Sequence, residues 1–140
     1  MSKEKFATIL TCMDGRVQKP GAVFMQEKTN AEYVDTITEP GIVRVLNEAG
    51  NTDTHRLSQI RYKLGISLNN HGSTGVGVTA HEHCAGNDVD NETQINQLSS
   101  ACSVVRELVA EGNFSVPVWG MFITQQTSGL WVAEQKVALE

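Results

Sequence analysis

The chain has 140 residues, of which 40% are hydrophobic and 19% are charged, and its formal net charge is −5. This length fits one domain over residues 1–140 with a buried core. The mild acidity excludes a basic face for nucleic acid or an anionic membrane, and the longest apolar runs, such as VWGMFI, are too short to cross a bilayer. The N-terminus has no small-residue cleavage site, so we expect no secretory signal and a cytoplasmic protein.

The first third of the chain predicts a strand, a helix and a second strand. Residues 6–11, FATILT, are a short apolar run with β-branched residues, which is typical of a buried strand. The stretch over roughly 22–38 is compatible with a helix that ends before Pro40 and Gly41. Residues 42–46, IVRVL, predict a second buried strand.

The middle of the chain predicts a helix and a third strand. The turn EAGNTD ends in Asp53, which is a candidate helix N-cap. Apolar residues then recur at helical spacing up to Gly65, where we expect the helix to end: Leu57, Ile60 and Leu64. NNHGSTG predicts a loop, and residues 76–80, VGVTA, predict a third strand.

The last third predicts one long helix and a hairpin. Asn91 and Gln94 resemble a capping box, and an apolar stripe continues to Gly112: Ile95, Leu98, Cys102, Val105, Leu108 and Val109. VPVWGMFI and LWVAEQ predict an antiparallel pair of strands around the turn TQQTSG, with Trp119 and Trp131 facing each other. The alternation of strands and helices predicts an α/β fold. We expect a mostly parallel central sheet of about five strands, flanked by helices, with a C-terminal antiparallel hairpin.

Candidate metal ligands follow two of the predicted strands. Cys12 lies at the end of the first strand, and His81 and Cys84 lie at the end of the third. Ligands bind beyond the carboxyl ends of parallel strands, so neighbouring strands would bring these side chains to one rim. Two thiolates and one imidazole suit zinc, and three protein ligands leave an open position, as in catalytic zinc sites. Water at that position would have its pKa lowered to about 7.

Asp14 and Arg16 follow Cys12 at intervals of two residues. In an extended or irregular segment this spacing puts the three side chains on one side. A carboxylate beside the metal can accept a hydrogen bond from bound water and orient it. Arg16 can hold that carboxylate through a charge-assisted, bidentate pair.

The motifs CMDGR and HEHC resemble the Cys-x-Asp-x-Arg and His-x-x-Cys motifs of the β-class carbonic anhydrases. Three further segments resemble elements of the family in the same order along the chain. IVRVLNEAGN resembles a strand that ends in Arg-Asn-Ala-Gly-Asn, and HRLSQIRYKLGI resembles the helix after it. VPVWGMFITQQTSGLWV resembles the closing hairpin. The resemblance therefore covers nearly the whole chain. Each short motif is weak alone, whereas the two ligand motifs together at compatible spacing are specific.

This resemblance implies a role for each matching position. Cys12, His81 and Cys84 would bind zinc. Asp14 and Arg16 would form the catalytic pair that gates the zinc site and orients the reacting water. The implied reaction is the reversible hydration of CO2 to bicarbonate by zinc hydroxide. The family is usually built on dimers that share the active cleft, so we expect a homodimer or a higher even homo-oligomer.

The chain departs from the family pattern at several positions. Eleven residues precede Cys12, so we expect no long N-terminal helical arm around the partner subunit. The segment between Cys84 and the hairpin is short, Glu48 interrupts the Asn-Ala-Gly order, and Ala85 replaces the usual glycine. None of these changes removes a candidate ligand, and we expect their effects at the pocket walls and the subunit contacts.

The other histidines and cysteines have more ordinary interpretations. His83 is an unspecified position of the motif, so we expect it beside the ligands or at the surface. We expect His71 to be solvated in its Asn/Gly/Ser loop, and His55 to be structural or exposed in the first turn of a helix. Cys102 lies on an apolar stripe, so we expect it to pack in the core. Arg44 could face the cleft or reach solvent.

Three alternative functions are compatible with the same residues. The site could hydrolyse a CO2-like substrate such as carbonyl sulfide or carbon disulfide, since the ligands alone do not separate these reactions. The chain could instead be a non-catalytic zinc-binding module or a bicarbonate sensor, although a structural site has no need of Asp14 and Arg16. A redox pair of Cys12 and Cys84 is disfavoured, because they do not form a Cys-x-x-Cys motif.

Overall fold

The computed structural model describes residues 4–47 and 54–140. Their helices and strands alternate along the chain: β1 (Phe6–Thr11), α1 (Gly15–Thr29), β2 (Tyr33–Thr38), α2 (Ile42–Asn47), α3 (Thr54–Gly65), a π-helical turn (Ile66–Asn70), β3 (Val76–His81), α4 (Asn91–Glu111), β4 (Val118–Gln125) and β5 (Trp131–Leu139). Within these residues no helix combines the length and apolar character that a membrane span requires.

The strands form a single sheet in the order β2-β1-β3-β4-β5. The first four strands are parallel, and β5 pairs antiparallel with β4 at the edge. The predicted α/β class, the sheet of five mostly parallel strands and the closing hairpin are confirmed. The two tryptophans do not face each other, since Trp119 opposes Ala138 and Trp131 opposes Gln125.

Helices cover both faces of the sheet. On one face α2, α3 and α4 pack against apolar side chains of β1, β3 and β4. On the other face α1 packs against Ile9 and Met121 through the buried Met25. Gly21 permits this close approach, because a Cβ at that position would lie 2.6 Å from Cδ1 of Ile9. The strand β1 lies inside the sheet, between β2 and β3, which explains why FATILT is almost entirely buried.

Two predicted elements of the first half are wrong. The predicted helix over roughly 22–38 is instead the second half of α1 followed by the edge strand β2. The helix ends where Asn30 adopts a left-handed conformation with φ 58°. Residues 42–46 lie in the helix α2 and not in a strand. A short apolar run does not distinguish a buried strand from a buried helical turn, and only Arg44 of these five residues is exposed.

The predictions about the ends of the helices α3 and α4 have mixed outcomes. The α3 helix ends at Gly65 as expected, but the chain continues as the π-helical turn rather than entering a loop directly. The α4 helix and its apolar stripe are confirmed, with Gly112 as the C-cap. Its N-cap is Asp90, whose carboxylate accepts a hydrogen bond from the amide of Thr93. The predicted cap at Asp53 lies outside the described residues.

Candidate metal centre

Cys12, His81 and Cys84 converge at the carboxyl edge of the sheet. The adjacent parallel strands β1 and β3 bring Cys12 and His81 together, and a turn after β3 returns Cys84 to the same place. One donor atom from each side chain lies within 4.8 Å of the others, and the two sulfur atoms are 3.9 Å apart. Their relative exposures are 5%, 1% and 4%, so each of the three side chains is almost entirely buried.

The tautomer of His81 suits metal binding. Its Nδ1 lies 2.9 Å from the main-chain oxygen of Glu82, which can only accept a hydrogen bond, so Nδ1 carries the hydrogen. The lone pair of Nε2 then points inward, and this buried atom has no hydrogen-bond partner among the described residues. Such an unsatisfied group costs free energy unless something binds it. Zinc, with its preference for sulfur and imidazole ligands, fits this donor set.

The two thiols share one proton and one negative charge. The hydrogen bond from Cys84 lowers the pKa of Cys12 to about 4, against the opposing effect of burial. The same contact, together with burial, raises the pKa of Cys84. The main-chain amide of Gly41 also donates to the sulfur of Cys12, at 3.4 Å. A divalent cation would stabilise the second thiolate and displace the shared proton.

Main-chain contacts fix the loop that carries Cys12. The side-chain amide of Gln18 donates to the carbonyl oxygens of Cys12 and Asp14, at 2.7 and 2.9 Å. Gly41 approaches from the other side with φ +58°, and a Cβ there would lie 2.5 Å from the carbonyl oxygen of Gly86. Only glycine therefore brings this amide to the sulfur without strain.

Gln94 holds the main chain of His81 from the buried side of α4. Its side-chain amide donates to the carbonyl oxygen of His81 at 2.7 Å and accepts from the His81 amide at 3.3 Å. The side chain of Gln94 is fully buried. The capping-box role predicted for Gln94 is wrong, because Asp90 is the N-cap of α4 and Gln94 binds His81 instead. The available signal was its position one turn before Leu98, on the buried face of the helix.

Asp14 and Arg16 form a bidentate ion pair beside the cluster. Arg16 donates from Nε to Oδ1 at 3.0 Å and from Nη2 to Oδ2 at 2.6 Å, and its main-chain amide donates to Oδ1 at 2.9 Å. Asp14 is also the N-cap of α1, which is why the two residues meet in a helical first turn and not in an extended segment. The hydrogen bonds from Arg16 hold the pKa of Asp14 at about 2, so this carboxylate is ionised.

Two further contacts hold the Arg16 guanidinium. Its Nη2 donates to the carbonyl oxygen of His83 at 3.0 Å, and its Cζ lies 4.8 Å from the centre of the Trp131 ring. His83 is exposed and in a left-handed conformation, with φ 58°, and it contributes its main chain here. The contact with Trp131 could not be seen in the sequence, because it joins residues more than a hundred positions apart.

The remaining candidates lie away from the cluster. His71 is not simply solvated, since its Nδ1 lies 2.6 Å from a carboxylate oxygen of Asp35 and its ring stacks on Phe6. His55 is exposed on α3, and Cys102 is fully buried, as expected for core packing. In residues 4–47 and 54–140, Cys12, His81 and Cys84 form the only group of three potential metal ligands.

Comparison with known proteins identifies related sequences and folds. A family model described as "Putative carbonic anhydrase" matches residues 2–135. No protein with a curated description is significantly similar in sequence. Among solved structures, β-carbonic anhydrase isoform I from Trichomonas vaginalis superposes with a TM-score of 0.58 at 16% identity, over 94% of this chain and 83% of that one.

Two other solved structures give the same result. A carbonic anhydrase from Streptococcus mutans has a TM-score of 0.56 at 16% identity, over 95% of this chain and 85% of its own. A carbonic anhydrase from Glaciozyma antarctica has a TM-score of 0.54 at 16% identity, over 95% and 83%. The five-stranded α/β architecture described above is thus the fold of β-carbonic anhydrases.

Proposed function

Since the chain belongs to the carbonic anhydrase family, we propose that it catalyses the zinc-dependent, reversible hydration of CO2 to bicarbonate. One observation carries this proposal: a buried cluster of two thiols and one imidazole lies beside an ionised carboxylate that an arginine holds in place. A structural zinc site would need the cluster alone. The adjacent pair of Asp14 and Arg16 favours a catalytic site.

The three ligands would be Cys12, His81 and Cys84. The unpartnered Nε2 of His81 and the two adjacent sulfurs supply three donors of the type zinc prefers. Zinc bound there would supply Lewis acidity, which brings the pKa of a water molecule to about 7. Gln94 and the Glu82 carbonyl would keep the imidazole in its orientation.

Asp14 would accept a hydrogen bond from the reacting water and orient it toward CO2. With a pKa of about 2 it is an acceptor over the whole working range of pH. Arg16 engages both carboxylate oxygens, and this contact would keep the carboxylate from turning to the metal. The arginine thus controls whether the fourth position of the site stays available.

We further propose that the protein works as a homodimer or higher even homo-oligomer in the cytoplasm. A groove of about 550 Å³ runs between α1 and β5, next to Arg16, and its lining is mostly apolar. Val23 and Leu130 expose 40% and 65% of their surface there. Apolar surface of this kind is commonly covered by a partner. All three cysteines are free, as is usual in a reducing compartment.

The decisive experiment measures zinc content and stopped-flow CO2 hydration on the same preparation. We expect about one zinc per chain and an activity that rises with pH around or above 7. A folded, zinc-loaded protein that is inactive between about pH 6.5 and 9 would contradict the proposal. The release of sulfide from carbonyl sulfide or carbon disulfide by that same preparation would then assign the site to a hydrolase.

A further inference from the structure

The Arg16 side chain is exposed, yet three different groups contact its guanidinium. It is 46% exposed, and an exposed arginine ordinarily samples many rotamers, because ordering it costs entropy. Here the guanidinium is hydrogen-bonded in its plane by Asp14 and by the His83 carbonyl. The indole of Trp131 lies 4.8 Å from its central carbon. A cation near an aromatic ring at this distance is attracted by the electron density of the ring face.

Trp131 is itself held by the hairpin and by packing against an apolar cluster that includes two of the proposed ligands. It is the first residue of β5 and pairs with Gln125, and the turn is closed by a hydrogen bond from Gln126 to Leu130 at 2.8 Å. The Gln125 amide donates to the carboxylate of Glu82, the residue after His81. The half-buried indole also packs against the cluster that contains Cys12, Val17, Cys84 and Ile123.

We infer that Trp131 is a positioning residue, whose ring keeps the Arg16 guanidinium paired with Asp14 and so keeps that carboxylate oriented for catalysis. This inference rests on the proposed function, because the pair matters only if Asp14 orients the reacting water. Trp131 does not have to touch substrate. It acts through Arg16, so its loss should lower kcat and leave KM unchanged.

The chain contains a matched control in its other tryptophan. Trp119 also lies beside a cation, with its ring centre 5.4 Å from Nζ of Lys28. It pairs with Gly77 of β3 and lies near the opposite end of the sheet from His81. Replacing Trp119 therefore tests the general effect of losing an indole from β4 or β5, without touching Arg16.

The first measurement is nuclear magnetic resonance of the arginine Nε–H groups in zinc-loaded protein, with the Arg16 signal assigned through Arg16→Lys. The ring current of Trp131 should shift the Arg16 signal, and the closed geometry should slow its exchange with water. We expect Trp131→Leu to remove the shift and speed the exchange, Trp131→Phe to retain part of both, and Trp119→Phe to change neither. An Arg16 signal that is unchanged in Trp131→Leu would overturn the inference, whatever the activity.

The second measurement is stopped-flow kinetics with zinc content determined for each variant. We expect Trp131→Leu to lower kcat about 2- to 30-fold per zinc, the range that loss of one cation–π contact gives. Trp131→Phe should have a kcat between those of Trp131→Leu and the parent protein. If the leucine variant does not fold, Trp131→Phe is the variant that tests the inference. A loss of activity that only follows a loss of zinc would show that Trp131 merely packs over the ligands, and would overturn the inference. A parent protein that is zinc-loaded but inactive would defeat the proposed function, and the Arg16 signal would then decide the positioning contact by itself.

Discussion

The side-chain amide of Gln94 binds both main-chain polar groups of His81, as a neighbouring strand would. A helix residue thereby fixes the last residue of β3, at the point where the strand delivers its imidazole to the cluster. The carbonyl of the next residue fixes the ring of the same histidine. The position of this one proposed ligand therefore depends on contacts from α4 and from the turn after β3.

Replacing Gln94 by leucine should weaken both the fold and the metal site. The substitution leaves buried main-chain groups of His81 without this partner, which costs about 1–3 kcal/mol in the free energy of unfolding. Loss of an orienting contact typically lowers metal affinity by about 10- to 100-fold. Urea unfolding of the zinc-free protein and zinc competition with a chelator measure the two effects separately. The exposed Asn96→Leu on the same helix is the control, and equal behaviour of the two variants would refute a role for Gln94 at the site.

The fold was largely predictable where the pattern of apolar residues had enough length. The α4 helix has a stripe of six apolar residues, and β3 is a wholly buried run. The pattern failed at β2, where an edge strand exposes Tyr33 and Thr36 and so lacks a continuous apolar signal. It failed again at α2, where a short apolar run is equally compatible with either structure.

The site was predictable to the extent that its residues lie close together in the sequence. Cys12 with Asp14 and Arg16, and His81 with Cys84, each form a recognisable local motif, and the parallel sheet brings the two motifs together. Gln94 and Trp131 come from α4 and β5, and no spacing rule connects them to the motifs. Their contribution depends on helix orientation and hairpin register, which only the three-dimensional structure gives.

Replacing Cys84 by serine should remove zinc and reduce stability together. A hydroxyl is a poor zinc ligand, and the remaining two donors do not make a tight site. Metal binding is coupled to folding, so the thermal midpoint should fall and should no longer respond to added zinc. Elemental analysis and thermal unfolding test this expectation. Cys102→Ala, a change in the core away from the ligands, should retain zinc; a Cys84→Ser protein with full zinc content would disprove the ligand assignment.

Cys102 should be far less reactive than Cys12. Burial raises its pKa to about 12, so at pH 8 it is protonated and unreactive. Because the folded pKa lies above the unfolded value of 9.0, stability from the neutral thiol is complete below about pH 9 and is lost as pH rises toward 12. Alkylation followed by mass spectrometry of the chelator-treated protein should label Cys12 first and Cys102 only on unfolding. Early labelling of Cys102 would contradict its position in the core.

The apolar groove between α1 and β5 is the basis for a prediction of the oligomeric state. We expect light scattering to give a homodimer or higher even oligomer at micromolar concentration, with closed symmetry. The association should persist at high salt, because apolar contacts are not screened by ions. A stable monomer under these conditions would exclude a cleft shared between subunits.

The sharpest prediction separates an enzyme from an inert zinc module, and it concerns Arg16 and Asp14. Arg16→Ala frees the carboxylate of Asp14 to turn toward the metal, so activity should fall while zinc stays bound. Asp14→Asn keeps all three ligands but cannot orient water as a carboxylate does. A positioned proton acceptor contributes about 100- to 10,000-fold to a rate, so stopped-flow CO2 hydration will detect the loss in either variant.

The pH dependence and a matched arginine complete this test. The pKa of Asp14 is about 2, below its ordinary 3.8, so any stability from the ion pair is present above about pH 4 and is lost as pH falls through 2. Activity between about pH 6 and 9 should therefore follow ionisation of the reacting water and not of Asp14. Arg61→Ala removes another exposed arginine–carboxylate pair, with Glu111 at 3.0 Å, and should leave the activity unchanged. If Arg16→Ala, Asp14→Asn and Arg61→Ala all keep the activity of an active parent protein, the Asp14–Arg16 pair has no catalytic role. A zinc-loaded parent with no CO2 hydration above buffer, and variants that do not differ from it, would instead make the cluster structural.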